Sequence, residues 1–364
     1  MKYQLNIQRK NFDLKHAGTK AVTDCGQILS SKGYKNISLS FNKSPYLIGF
    51  SLIKVIAQLL TWTVVLIEPG SIIVAQYPLI GVNRFFKLFI HLLKAKKCKV
   101  ICIVHDLNSL RYQQSDLQVS KEIAYLNAYD TVISHNNQMT GWLKNKGLAT
   151  LVFPIQLFDY LYQEENNYNR SAAFSADKNE IVFAGNLNRG AFINQLFELK
   201  ELQFSLYGPT NDSQKISKQI NVTWKGTFEP ELLITKLEGT FGLIWDGDSI
   251  NDCVGEYGNY ICYNNPHKIS LYLAAGLPVI IPKKAALSTF VERNNLGICI
   301  NSLADIDKCI GQITIEAYDK MLKNIETLQQ QLKHGHFFST VLNCIEKEEC
   351  FLKGFAQTTI ANRG

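Results

Sequence analysis

The chain has no Cys-x-x-Cys pair, no Gly-x-Gly-x-x-Gly fingerprint, no low-complexity tract and only 9 prolines. Each absence removes a class. Nine cysteines, from Cys25 to Cys350, are odd in number and scattered, several of them inside apolar runs. They read as free thiols in a reducing compartment, not as a disulfide framework or a structural zinc site. Few prolines and no biased tract exclude a disordered chain. No self-similarity recurs at solenoid periods. The start, Met1-Lys-Tyr-Gln-Leu-Asn-Ile7, lacks the apolar core and small-residue cleavage site of a signal peptide, so a cytoplasmic location is expected. The net charge of +7 is modest and no recognition motif accompanies it, which argues against a nucleic-acid partner.

What is present fits a two-domain α/β protein. The 364 residues, 46% hydrophobic and 19% charged, are enough for two cores. In the first half, strand-like runs at Tyr3–Ile7, Ile37–Phe41, Ser71–Ala75, Val100–Val104 and Thr131–Ser134 alternate with helical patterns such as Thr19–Ser31 and Ser115–Ala128. The second half repeats this grammar at Glu180–Ala184, Gln203–Tyr207, Val222–Trp224, Phe241–Trp245, Pro278–Ile281 and Gly297–Ile300. Such alternation implies parallel, doubly wound sheets. The polar stretch Gln156–Lys178 marks a boundary, giving domains over 1–160 and 175–335, with a last segment, 336–364, predicted to pack back on the first domain. Ligands in such sheets bind beyond the C-terminal strand ends, which places the expected site in a cleft between the domains.

Two segments invite a membrane reading. Tyr46–Ile67 is long enough to span a bilayer, but Lys54 and Gln58 lie inside it and a strand-like run follows, so a buried helix is the better reading. Residues 84–99 mix aromatic and aliphatic residues with Arg84, Lys87, Lys94, Lys96, Lys97 and Lys99. That pattern fits a helix on an anionic membrane face, and equally a helix with a solvated basic end.

The most informative stretch is Asn264-Asn-Pro-His-Lys-Ile-Ser-Leu-Tyr-Leu-Ala-Ala-Gly-Leu-Pro-Val-Ile-Ile281. A polar loop delivers His267 and Lys268 to a helix start, where unpaired N–H groups favour anions. Gly276 ends the helix, Pro278 prevents its continuation, and an apolar strand follows.

Five stretches occur in the order seen in one group of enzymes: Lys15-His-Ala-Gly-Thr19, Ile103-Val-His-Asp-Leu107, Phe183-Ala-Gly-Asn-Leu-Asn-Arg189, Phe241-Gly-Leu-Ile-Trp-Asp246 and His267-Lys-Ile-Ser-Leu-Tyr-Leu-Ala-Ala-Gly-Leu-Pro-Val279. On these motifs the chain resembles GT-B glycosyltransferases. More narrowly, it resembles bacterial β-1,6-galactofuranosyltransferases and the streptococcal glucosyltransferase that extends GlcNAc on serine-rich adhesins. The resemblance implies two Rossmann-like domains, an N-terminal one for the acceptor and a C-terminal one for the nucleotide sugar. It implies transfer from a UDP-sugar with no bound metal and no other cofactor. Cations and helix amides must then take the charge of the leaving diphosphate. Lys268 is the first candidate; Arg189, beyond a Gly185-Asn186 turn and expected to begin the next helix, is the second. His267 is read either as a phosphate or sugar ligand or as a plain helix-start residue. Tyr207 and Gly208 end a strand where backbone would approach uracil or ribose, or simply turn. Asp246 binds sugar hydroxyls or initiates its loop.

Asp106, with His105 second, is the candidate base for the acceptor hydroxyl; the alternative is that Asp106 caps the following helix. Gly18 is expected in the first β–α loop, with Thr19 as a helix N-cap. Many GT-B enzymes carry two glutamates before the Ala-x-Gly-x-Pro-Val turn; here Tyr263 and Leu271 stand in that register, so an inverting reaction fits better. The expected partners are a glycan acceptor, lipid-linked in one version, the inner face of the plasma membrane, and a second copy in a homo-oligomer. Two other readings stay open: a UDP-sugar epimerase of the same shape, and a non-catalytic nucleotide-binding subunit of another transferase.

Overall fold

The computed structural model describes residues 1–9, 17–41, 57, 59–78, 83–175 and 179–347. The chain forms two compact units that divide between Ile155 and Gln156; residues 17–21 and the segments from Gln156 on group with the second.

The first unit holds a six-stranded parallel sheet of β1 (Lys2–Arg9), β2 (Lys35–Phe41), β3 (Ile72–Tyr77), β4 (Lys99–Val104), β5 (Thr131–Ser134) and β6 (Leu151–Pro154), in the order β2-β1-β3-β4-β5-β6. Its helices include α1 (Ala17–Ser31), α2 (Asn83–Ala95), the single turn α3 (Asn108–Arg111), α4 (Asp116–Leu126) and α5 (Asn137–Asn145). Val100 to Val104 are all 0% exposed, as expected for a central strand covered on both faces. The edge strand β6 was not anticipated. It is four residues long, starts on an exposed Leu151 and ends on Pro154, so it lacks a buried apolar run.

The second unit repeats the plan with β7 (Glu180–Ala184), β8 (Gln203–Tyr207), β9 (Val222–Gly226), β10 (Phe241–Leu243), β11 (Val279–Pro282) and β12 (Gly297–Ile300), in the order β12-β11-β10-β7-β8-β9. Here the strand order reverses between β7 and β10, which makes their C-terminal ends the switch point where doubly wound sheets bind ligands. The principal helices are α6 (Gly255–Tyr260), α7 (His267–Ala274), α8 (Ile315–Lys333) and α9 (His336–Lys347). Along α8, Tyr318, Met321, Ile325, Leu328 and Leu332 form one buried stripe at helical spacing. The buried Asp159 carboxylate accepts the N–H groups of Phe337 (3.0 Å) and Phe338 (2.8 Å), capping α9 and tying it to the segment after β6.

None of the eight cysteines among the described residues forms a disulfide. No helix among them is long and apolar enough to cross a membrane, and most of Tyr46–Ile67 lies outside the described residues. The basic segment forms α2, whose apolar residues Phe86, Phe89, Ile90 and Leu93 are buried in the sheet's core. Lys96 donates to the carbonyls of Thr63 and Ile67, both at 2.6 Å, and Lys94 pairs with Asp130 at 3.0 Å. The apolar stripe that suggested a lipid-facing helix therefore faces protein.

Candidate active site

The site is built most clearly around α7. Gly242 in β10 has no side chain, and a Cβ there would lie 2.4 Å from the Tyr272 ring. That space lets Tyr272, fully buried, lie against β10 while its hydroxyl accepts the N–H of Ala184 at the end of β7 (2.7 Å). Helix α7 is thus docked on the two strands of the switch point. One turn back, at i−4, Lys268 shares its face. Its ammonium lies 3.2 Å from the Asp246 carboxylate, 3.2 Å from the carbonyl of Trp245 and 4.4 Å from the Phe183 ring centroid. Only 14% of the Lys268 side chain is exposed, against 31% of Asp246. No side chain caps the start of α7, so its first amides are oriented as an anion site would need. Gly276, at φ +78°, then reverses the chain into β11.

The surrounding loops are wound tightly. Gly247 has φ +112°, and a Cβ there would meet the Val254 carbonyl at 2.2 Å. The loop after β7 is an Asx turn: Asn186 Oδ1 accepts the Asn188 N–H at 3.0 Å. This capture keeps Arg189 in a turn ahead of the 3₁₀ segment Ala191–Glu198, instead of at a helix start. Arg189 is exposed, with its guanidinium 5.6 Å from the Tyr257 ring centroid of α6. Together with Asn188, Thr210, Asn211, Asp212 and Asp248 it lines a polar cleft of about 480 Å³.

Three expected ligands are turned into the fold. Tyr207 is 1% exposed and its hydroxyl donates to the Lys236 carbonyl at 2.9 Å. Burial pushes that phenol up to about 12. Gly208 has φ +134°, and a Cβ would sit 1.9 Å from the Gly185 carbonyl. It is glycine because the β7 and β8 loops touch; its N–H bonds Gly226 and its carbonyl accepts from Trp224, so little backbone is left for a nucleotide. His267 stacks on Tyr160 (ring centroids 5.2 Å apart) and packs near Phe158. Its Nε2 is enclosed and finds no partner among the described residues. Burial, aided by the nearby Lys20 charge, lowers this imidazole to about 4 despite a hydrogen bond with the Asp159 backbone. A ring held neutral brings no positive charge to a diphosphate.

In the first unit, His105 and Asp106 follow β4. His105 Nε2 meets Gln76 Oε1 at 2.7 Å, while Gln76 Nε2 donates to the Val22 carbonyl at 3.2 Å. The amide oxygen is therefore the acceptor and His105 carries its proton on Nε2. Asp106 does not cap α3, whose N-cap is Leu107; its carboxylate pairs with Arg111 at 2.7 Å. His135, after β5, is 2% exposed, and burial lowers it to about 4 although its ring bonds the Val104 carbonyl. Gly18 and Thr19 lie in the first turn of α1, not in a loop and at an N-cap: the helix begins at Ala17. Lys15 and His16 of that motif lie outside the described residues.

Sequence reasoning missed Phe183, Tyr257, Gln76, Arg111 and Glu122. Glu122 had a signal: it interrupts the apolar face made by Val119, Ile123 and Leu126. The others reveal themselves only through contacts made by folding.

Known structures share this architecture. Sucrose-phosphate synthase from Thermosynechococcus elongatus superposes with a TM-score of 0.62 at 12% identity, over 95% of this chain and 100% of that one. Anabaena HepE, in complex with UDP, gives 0.59 at 13% identity over 95% and 100%. The fold and its relatives define a glycosyltransferase of the GT-B class. The chain is 31% identical over 338 residues to the β-1,6-galactofuranosyltransferase WbbI of Escherichia coli, covering 91% of this chain and 95% of that protein. It is 27% identical over 275 residues to Glucosyltransferase 3 of Streptococcus gordonii, covering 75% and 78%. It belongs to the Glucosyltransferase 3-like family, whose N-terminal domain matches residues 5–156 and whose C-terminal domain matches residues 181–345.

Proposed function

We propose that this enzyme moves a hexose from a UDP-sugar to a hydroxyl of a glycan acceptor, with inversion and without a metal ion. The observation that carries the reading is the Lys268 ammonium at the β7–β10 switch point, held among Asp246, the Trp245 carbonyl and the Phe183 ring. A cation so placed suits a departing diphosphate. Relatives named as a galactofuranosyltransferase and a glucosyltransferase support hexose transfer. A neighbour solved with UDP supports the nucleotide.

In the reaction, the acceptor oxygen bonds to the anomeric carbon as the bond from that carbon to the diphosphate breaks. The hydroxyl proton passes to Asp106, and Lys268 and Arg189 take the diphosphate's charge. Asp246 is the counter-ion that Lys268 leaves when the donor arrives. A peripheral contact with anionic lipid belongs to the same reading; exposed Lys87, Leu88, His91 and Lys97 of the α2 region support it, and co-sedimentation with anionic vesicles tests it.

Calorimetry with UDP, GDP, CMP and ADP, each with and without EDTA, tests the donor assignment. Selective UDP binding that survives EDTA is expected. Binding of none would overturn it and favour a non-catalytic partner subunit. The anomeric configuration of the product, read by NMR, tests inversion.

A further inference from the structure

We propose that Glu122 is a positioning residue for the reaction, holding the Asp106 carboxylate in place through α3 and Arg111. This rests on the reading of Asp106 as the proton acceptor. Glu122 lies on the core face of α4 and is 8% exposed. Its Oε1 accepts the Tyr77 hydroxyl at 2.6 Å and the Asn108 N–H at 3.1 Å. Its Oε2 accepts the Ser109 N–H at 3.0 Å and also the Ser109 hydroxyl. A buried carboxylate with four donors is fully satisfied, and such a group fixes its donors as firmly as they fix it.

The location of those donors gives the arrangement its meaning. Asn108 and Ser109 are the first two residues of α3, and Leu107, the N-cap, offers no side-chain cap. Glu122 therefore supplies from another helix the cap that α3 lacks. A single turn does not hold itself together in water, so its geometry depends on outside partners. The last residue of that turn, Arg111, delivers its guanidinium to Asp106 Oδ2 at 2.7 Å. Tyr77, at the end of β3, completes the network; burial and the Glu122 charge push its hydroxyl far up, so it remains a donor. A residue that only stabilised the core would need no donors from this loop, yet three of its four come from residues 108 and 109.

Glu122→Gln keeps the shape and replaces one acceptor oxygen with an amide that cannot accept. Expected are a 10- to 100-fold lower kcat, a donor KM and UDP affinity within about 2-fold of the parent, and at least 10-fold faster amide exchange in peptides covering 106–111 only. Ser109→Ala, which removes one donor, should give a smaller change of the same pattern. In an Asp106→Asn background, Glu122→Gln should cost nothing further. Unchanged kcat in Glu122→Gln, or an undiminished further loss in the Asp106→Asn background, overturns the proposal. If Asp106→Asn alone keeps full turnover, the proton-acceptor reading fails by itself. The exchange measurement still decides whether Glu122 holds the loop: unchanged exchange at 106–111 overturns it.

Discussion

At the end of β10 Asp246 meets Lys268 at 3.2 Å, and at the end of β4 Asp106 meets Arg111 at 2.7 Å. In both, a carboxylate just past a central strand pairs with a cation from a following helix, and about a third of the carboxylate side chain is exposed, 31% and 35%. The cations differ. Lysine is a point charge on a flexible stem that exchanges partners readily; arginine is a planar fork that fixes what it holds. Lys268 divides its ammonium among a carboxylate, a carbonyl and a ring. Arg111 sits on a turn clamped by Glu122. On the proposed reading, the second unit's pair opens for an anion and the first unit's pair keeps a carboxylate still.

The largest expected effect tests the fixed pair. Asp106→Asn should lower turnover by about 10²–10⁴-fold, the range for a lost general base, with UDP affinity unchanged. Full turnover would remove Asp106 from the mechanism. Next comes the exchangeable pair: Lys268→Ala should weaken UDP binding by about 2–5 kcal/mol, roughly 30-fold at the least. A calorimetric affinity equal to the parent's would end the phosphate assignment. Arg111→Lys keeps the charge but loses the fork. Turnover should drop roughly 10-fold, within the 10²-fold that a 1 Å misplacement costs; an unaffected rate would mean that charge alone suffices there. Asp246→Asn should tighten UDP binding by up to about 5-fold, because a part-exposed pair contributes only about 0–1 kcal/mol. A loss of UDP-sugar affinity with UDP affinity unchanged would instead make Asp246 a reader of the sugar.

Acid gives the mildest test, because among the described residues His135 in the first unit and His267 in the second are both lowered by burial to about 4 from an ordinary 6.5. Below pH 6.5 the unfolded chain binds protons that the folded chain refuses, so stability falls as pH drops from about 6.5 towards 4. Each histidine contributes a slope of at most about 1.4 kcal/mol per pH unit. Denaturant unfolding of His135→Asn and His267→Gln should show flatter slopes than the parent; parallel curves would mean that the rings charge freely in the native state.

Much of the frame was legible because parallel strands announce themselves as short apolar runs. Glu180–Ala184, Gln203–Tyr207 and Gly297–Ile300 fall where patterning placed them. The predicted strand Phe241–Trp245 stops at Leu243, since Trp245 turns to donate its indole N–H to the Ser249 carbonyl. Lys268 was readable because a helix start and a glycine stop bracket it. His267, beside it in the sequence, was not: whether a helix-start ring faces outward or stacks on Tyr160 depends on a segment 107 residues away. Asn186 and Arg189 were singled out in the sequence, but the Asx turn that keeps Arg189 out of a helix start was not foreseen. Glu122 shows the general limit: its partners lie on a different helix and strand, and no local period encodes them.

On the proposed reading, the closeness of Gly208 to the Gly185 carbonyl bears on how donor preference can change over time or in the laboratory. Any side chain at position 208 would drive apart the loops after β7 and β8, so that position offers no adaptive route. Gly185 is more permissive, with its nearest neighbours at 3.6 Å or beyond, but a methyl group there would come within 3.9 Å of the Lys268 stem. On the proposed reading, a library aimed at a new sugar should leave both glycines alone and vary Asn188, Asn211 and Asp248, which line the neighbouring cleft.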